Sequence, residues 1–302
     1  QAVFAAETHM ARLAGALDMD PVELRMRNAL AEGSITHTMA ALPAGVSVRQ
    51  TLEVAARRAG WQLLDGEWRR PERQQEARPG VQRGLGIVSG WKNVGYTLGY
   101  PEQSTAMVEL YGGAEVERAV VRLAAAEVGQ GIHTAITQMA MEALGLPPER
   151  VELFFTDTRE TQSAGSVSAS RMAFMAGNAL IRAVDAARWA WQNEDRPAIA
   201  SYTYKPPATT PFDPETGAAF GAFAFAYTAA AAEVEVDTGT GQIRVTRMIT
   251  ACDVGRAINP QIVEGQIEGG TVQGLGWATT ENWVTKGGQV FTPNLSTYLI
   301  PT

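Results

Sequence analysis

The amino-acid sequence reads as an α+β chain, with antiparallel and mixed sheets packed against helices. Apolar residues recur at helical intervals through the first quarter of the chain. From about residue 85 apolar and polar residues alternate instead, and between residues 124 and 156 a glycine turn joins one strand pattern to a helix and a second strand.

Over residues 2–30, Val3, Leu13, Leu17, Val22 and Met26 fall at helical spacing. Asp20-Pro21 offers an N-cap followed by proline at the first helical position, so two helices are expected. Ser47 can cap a third over 47–59, on which Val48, Leu52, Ala55 and Ala56 share a face. Residues 65–80 carry eight charged residues, two prolines and no aliphatic side chain larger than alanine. Such a stretch buries too little to offset the entropy of ordering it. A linker is expected there, with a boundary near residue 78 that divides 1–78 from 79–302. Strands follow over 85–89, 104–111 and 117–124, the last two joined at Gly112-Gly113. After the turn Gly129-Gln130-Gly131 comes a helix with Ile132, Ile136, Met139 and Ala143 on one side, then a strand over 151–156. A long helix is expected to start at Ser168 or Ser170 and run towards Asn193, with Met172, Met175, Ala179 and Ala183 inward. Residues 227–251 read as a hairpin about the turn from Asp237 to Gly241. Asn259-Pro260 opens the last helix.

The 302 residues suffice for roughly two domains of about 150 each, with no need of disulfide or metal staples. A net charge of −7 leaves no basic stripe for a phosphate backbone, so nucleic acid is not an expected partner. One cysteine, Cys252, cannot form an internal disulfide, and with three scattered histidines it makes no structural zinc set; a reducing, cytoplasmic setting is expected. Cys252 reads as a buried packing residue on a strand. The apolar run over 217–232 is short of the roughly 20 residues a span needs and leads into Glu233 and Glu235, so no membrane span is expected. The chain opens on Gln1 within a helical pattern, which reads as a piece of something longer.

Glycine is the enriched residue, at 30 of 302, and it clusters. The last helix contains Gly265, Gly269, Gly270, Gly274 and Gly276, each costing about 1 kcal/mol relative to alanine. Gln266, Gly270 and Gln273 lie at i, i+4 and i+7, a face of two amides and a bare patch that suits a flat polar ligand; close packing against another backbone fits as well. Gly129-Gln130-Gly131 precedes a helix, where free N–H groups can receive an anion or a polar ring, or where the glycines only make a tight turn. The third cluster, Gly165 to Arg171, offers hydroxyls at Ser166, Ser168 and Ser170, with Arg171 as the only positive charge nearby, for phosphate oxygens; a capping run in a surface loop is the alternative. His133 reads as a packing or helix-surface residue. No Ser-His-Asp arrangement is visible.

Taken together, EVGQGIHTAITQMAMEALGLP, AGSVSASRMAFMAGNAL and CDVGRAINPQIVEGQIEGGTVQGLGWATTEN resemble the large subunit of the molybdenum hydroxylases, the xanthine dehydrogenase and aldehyde oxidase family. The opening AVFAAETHMARLAGALDMDPVELRMRNAL is similar to a helical segment of the same subunit. The resemblance implies the α+β molybdopterin-binding region, with the tail of its first subdomain before residue 78 and most of its second after. It implies cofactor contacts from Gln130 and Gly131, pterin or phosphate contacts from Ala169 and Ser170, and a pterin contact from Gln266; Gly129, Ser168, Arg171 and Gly270, from the same three clusters, complete the expected cofactor-binding set. The implied cofactor is a molybdopterin, in a dinucleotide form, carrying molybdenum. The implied partners are the remainder of the large subunit, subunits or domains bearing 2Fe-2S and FAD, and a small-molecule substrate.

The implied reaction is oxidation of an aldehyde, purine or other N-heterocycle with water-derived oxygen. Family members place their general-base glutamate in a G-x-K-G-x-G-E stretch, and no such stretch occurs among these residues. The 302 residues alone are therefore expected to be inactive. A non-catalytic cofactor carrier or assembly subunit that keeps the pterin architecture is the alternative.

Overall fold

The computed structural model describes residues 1–72 and 76–301. Among the described residues six α-helices and twelve strands run in the order α1 (Ala2–Ala16), α2 (Pro21–Asn28), α3 (Val48–Ala59), β1 (Gln62–Leu64), β2 (Glu67–Arg69), β3 (Glu76–Arg78), β4 (Val81–Asn93), β5 (Ser104–Gly112), β6 (Val116–Leu123), α4 (Ile132–Leu144), β7 (Val151–Phe154), α5 (Met172–Gln192), β8 (Ala198–Tyr204), β9 (Phe225–Asp237), β10 (Ile243–Asp253), α6 (Pro260–Thr279), β11 (Thr285–Lys286) and β12 (Gln289–Val290).

Two four-stranded sheets organise the molecule, in the orders β10-β9-β4-β3 and β7-β6-β5-β8. The first is antiparallel throughout; Val81 to Asn93 pairs residue for residue with Asp237 to Phe225. The second is mixed: β5 pairs antiparallel with β6 and β8, while β7 runs parallel to β6. That parallel pair is the consequence of the strand, glycine turn, helix and strand read in the sequence, since α4 carries the chain back to the starting edge. The expected α+β class is what is found.

Side-chain alternation sends each strand's small residues to opposite faces. Ala229 and Ala231 of β9 and Ile87 of β4 are buried in a cluster with Val22, Leu52, Ala55, Ala56, Ala59, Trp61 and Trp68. Helices α2 and α3 thus cover one face of the first sheet. Helices α4 and α5 cover the second, where Ala106, Val108 and Leu110 of β5 meet Ile136, Met139, Ala176, Leu180 and Val184. The inward residues expected on the long helix, Met172, Met175, Ala179 and Ala183, are all buried.

The caps divide. Asp20 accepts from the Val22 N–H at 2.8 Å and also from the Trp61 indole, and Asn259 accepts from the Ile262 N–H at 3.0 Å, both as expected. Ser47 holds the N-cap position of α3, yet its buried hydroxyl has no hydrogen-bond partner. Within the stretch expected as a linker, residues 73–75 lie outside the described residues; beside them the chain forms β2 and β3, and Trp68 is buried. Arg57 and Arg70 flank Trp68 and Trp61 as cations over rings, so aromatic burial orders a segment that has no aliphatic residues to do so. Among the described residues no helix is long and apolar enough to cross a membrane.

Candidate functional site

Helix α6 lies over the face of the first sheet that α3 does not cover. It buries only Gly276, yet it touches β10 through the Thr250 and Thr271 hydroxyls, 2.9 Å apart. Between them is a groove of about 1170 Å³. Its lining gathers Gln130 and Gly131 before α4, Ser168, Ser170 and Arg171 before α5, and Gln266 and Gly270 on α6. Three segments read separately in the sequence therefore meet at one cavity. Gly129 and Ala169, between and beside them in the chain, are not part of the lining. Aliphatic and other apolar side chains make up much of the rest, including Ala230, Ala232 and Met248 from the sheet and Ile262, Ile267 and Leu275 from α6, with Thr228, Thr250, Arg256 and Asn259 among the further polar residues. A cavity with apolar walls and a few convergent polar groups is the usual form of a cofactor site.

At the first segment three of the N–H groups expected to be free are taken. The Glu127 carboxylate accepts from Gly129, Gly131 and His133 at 2.9, 3.0 and 3.1 Å and so caps α4. Desolvation is the largest single influence on that carboxyl and raises its pKa; the three donors together outweigh it and hold the group below the ordinary carboxylate value. Gln130 is likewise engaged, its Oε1 accepting from Val128 at 2.7 Å and its Nε2 donating to Ala126 at 3.0 Å. Gly131 is required twice over. Its φ is +79°, and a Cβ there would lie 2.7 Å from a methyl of Ile262. Loop and α6 are pressed together at that point, and the Asn259 side-chain amide reaches Gln138 at 3.1 Å beside it. His133 is a packing residue, as expected: its ring stacks on Phe155 at 4.2 Å and its Nε2 lies 2.7 Å from the Ala125 carbonyl.

At the second segment the long helix begins at Met172, two to four residues later than the serines suggested. The reason is local: Ala169 and Ser170 both adopt left-handed conformations, φ +53° and +54°, which a helix cannot include. A non-glycine residue held there costs about 1–3 kcal/mol and persists only where its surroundings impose it. Arg171 is the second correction. Its side chain is buried, and its guanidinium donates to the carbonyls of Ala164, Ser166 and Gln103 at 2.8, 2.8 and 2.9 Å. Rather than offering charge to a ligand, it draws the preceding loop around itself, and Gly165 passes so close that a Cβ would lie 2.9 Å from the guanidinium. Ser168 and Ser170 are exposed.

Helix α6 corrects the expectation that something within the chain crowds its glycines. Among the described residues no atom beyond the helix's own backbone lies within 4 Å of where a Cβ would stand at Gly265, Gly269, Gly270 or Gly274, whereas Gly276 is crowded by Glu281 and Pro301. Gln266 is exposed and among the described residues has no hydrogen-bond partner. Cys252, expected to be buried, is half-buried on the sheet wall of the groove, 3.2 Å from the Thr228 hydroxyl. Glu127 and Ile262 escaped the sequence reading. Glu127 stands two residues before Gly129, the spacing at which a side chain can fold back on its own turn, whereas the Ile262 contact spans 131 positions and leaves no local trace.

The sequence profile of the molybdopterin cofactor-binding domain matches residues 56–302. The chain is 28% identical over 337 aligned positions to the xanthine dehydrogenase molybdenum-binding subunit of Escherichia coli O157:H7, covering 100% of itself and 44% of that protein. It is 30% identical over 329 positions to the xanthine dehydrogenase of Emericella nidulans, covering 100% of itself and 23% of the relative. The aldehyde oxidoreductase of Desulfovibrio desulfuricans superposes with a TM-score of 0.81 at 26% identity, over 99% of this chain and 33% of its own. The chain thus spans less than half the length of these relatives. With the profile matching most of its length and the same α+β architecture in the aldehyde oxidoreductase, this chain belongs to the molybdopterin cofactor-binding domain family of the molybdenum hydroxylases.

Proposed function

We propose that this chain supplies the pterin-holding groove of a molybdenum hydroxylase large subunit. The parent enzyme would oxidise an aldehyde, purine or other N-heterocycle with oxygen taken from water. The convergence of Gln130 and Gly131, Ser168 and Ser170, and Gln266 and Gly270 on one cavity carries this reading. The residues present fit such a group: amides, hydroxyls and exposed backbone supply both donors and acceptors, and Gly270 and Gly274 leave a bare strip of helix where a flat ring can lie. In this reading molybdenum is held by the pterin, in a dinucleotide form, and not by side chains of this chain.

When bound, that cofactor supplies the redox and oxygen-transfer chemistry; the protein supplies orientation and hydrogen bonds. Gln266, with its amide unspent, is the donor and acceptor readiest for the pterin edge. Gln130 must release Val128 and Ala126 before its amide can serve a ligand. Glu127 keeps the N-terminal turn of α4 fixed meanwhile. Trp277, Trp283 and Leu295, at 68, 61 and 72% exposed, offer an apolar surface of the kind that marks an interface, which supports packing against the remainder of a larger subunit. The division near residue 78, the 2Fe-2S and flavin partners and a cytoplasmic setting belong to the same reading, as does the inactivity of these 302 residues by themselves.

The test is to purify the full-length subunit with its partners and incubate it with an aldehyde or N-heterocycle in heavy-oxygen water. Incorporation of one heavy oxygen into the product is expected. Full molybdenum and pterin loading without turnover would favour the carrier instead. Replacing Gln266 with alanine should lower loading, since an unpaired buried pterin group costs about 1–3 kcal/mol; wild-type loading would remove Gln266 from the site.

A further inference from the structure

The left-handed pair Ala169-Ser170 needs something to impose it, and the segment behind it provides three fastenings. The Gly95 N–H donates to the Ala169 carbonyl at 2.8 Å. The Tyr96 hydroxyl bonds to Ser168 Oγ. Glu102 faces Arg171 at 3.4 Å, with side chains only 3 and 2% exposed. Glu102 also accepts from the Tyr96 N–H, so its carboxylate ties residues 95–102 together at the same time. Gly95 is fitted to this arrangement, with a φ of +79° and a Cβ position 3.0 Å from the Glu102 carboxylate. The pair is ionic without being hydrogen-bonded: Arg171 Nε and Glu102 Oε2 are both buried and neither has a hydrogen-bond partner. A charge so enclosed needs its opposite, because removing one partner leaves the other stranded without water.

We propose that residues 95–102 are a buttress for the groove, in which Glu102, acting through Arg171, and Tyr96, acting through Ser168, are positioning residues that hold Ala169 and Ser170 in the shape a bound ligand meets. The inference rests on the reading of the groove as a pterin site and adds to it residues that do not line the cavity. Arg171 has its other donors on carbonyls of the same loop and on Gln103, so the loop that precedes α5 and the loop that precedes β5 move as one body.

The experiment uses the full-length subunit with its partners. Molybdenum is measured by mass spectrometry, pterin by the fluorescence of its oxidised form, the half-time of pterin release by dialysis, and folding by thermal melting. Wild-type protein that carries neither molybdenum nor pterin would overturn the pterin reading itself, a failure distinct from that of the buttress. With wild type loaded, Glu102→Gln should fold and carry at least tenfold less pterin. Arg171→Lys, which keeps the charge beside Glu102, should retain more pterin than Arg171→Met. Tyr96→Phe removes only a half-exposed hydroxyl, and should shorten the release half-time several-fold with the melting temperature unchanged, a split that a purely structural role would not produce. Folded Glu102→Gln with pterin within twofold of wild type would overturn the proposal. Should Glu102→Gln fail to fold, Tyr96→Phe decides alone, and release at the wild-type rate would overturn it.

Discussion

At Gly131 two demands coincide, a backbone in the left-handed region and a neighbour too near for any side chain. Gly131→Ala should therefore destabilise the chain by about 1–3 kcal/mol, read as a fall in the denaturation midpoint, whereas alanine at Gly129, equally left-handed but open, should cost less. Glu127 lends itself to a pH test. Its folded pKa lies below its ordinary value of 4.5, so its contribution to stability is present in full above pH 4.5 and is lost as pH falls through the folded value. Wild type should melt above Glu127→Gln at pH 7, and the gap should close on acidification below 4.5; a gap independent of pH would contradict the capping role. These two residues show what was readable at this scale. The glycine turn stood in the sequence because its left-handed backbone is a local demand, and His133 because a lone histidine at a helix start packs more often than it ligates. The inward turn of Arg171 did not, since its partners Glu102 and Gln103 are set by the fold.

Helices α5 and α6 follow different rules. Helix α5 is built on burial, and Leu180, fully enclosed, should lose about 2–5 kcal/mol on replacement by alanine, while Trp189 on the same helix, 69% exposed, should change stability by less than about 0.5 kcal/mol. Its period and inner face were legible because burial writes itself into the sequence at 3.6-residue spacing. Its start was not, because the left-handed Ala169 and Ser170 are held from outside the helix. Helix α6 has the opposite character: all its glycines but Gly276 are open, so Gly269→Ala, outside the groove lining, should stabilise the isolated chain by about 1 kcal/mol. A decrease would mean that the backbone at Gly269 is crowded after all. The sequence showed that these glycines were unusual for a helix. That, among the described residues, nothing beyond the helix's own backbone approaches Gly265, Gly269, Gly270 and Gly274 could be learned only from the assembled sheets.

At the scale of the molecule, two sheets bring together segments separated by more than a hundred residues. Strand β4 lies against β9, which places α6 over the sheet face opposite α3 and lets the three loops converge. Element type and order could be read because alternation, helical spacing and glycine turns are local signals. The pairing of β4 with β9 could not, since neither strand carries a mark of its partner. Among the three loops, only their arrival at one cavity turns separate turn and cap signals into a site.

That convergence is tested most directly by filling the groove from its bare side. Gly270→Leu starts a side chain at a Cβ position that, among the described residues, has no atom beyond the helix's own backbone within 4 Å, and it points into the open groove, so the fold should tolerate it. Molybdenum and pterin per polypeptide, measured on the full-length subunit, should fall at least tenfold while the melting temperature of the cofactor-free protein does not fall. Full loading of Gly270→Leu would contradict the assignment of this groove.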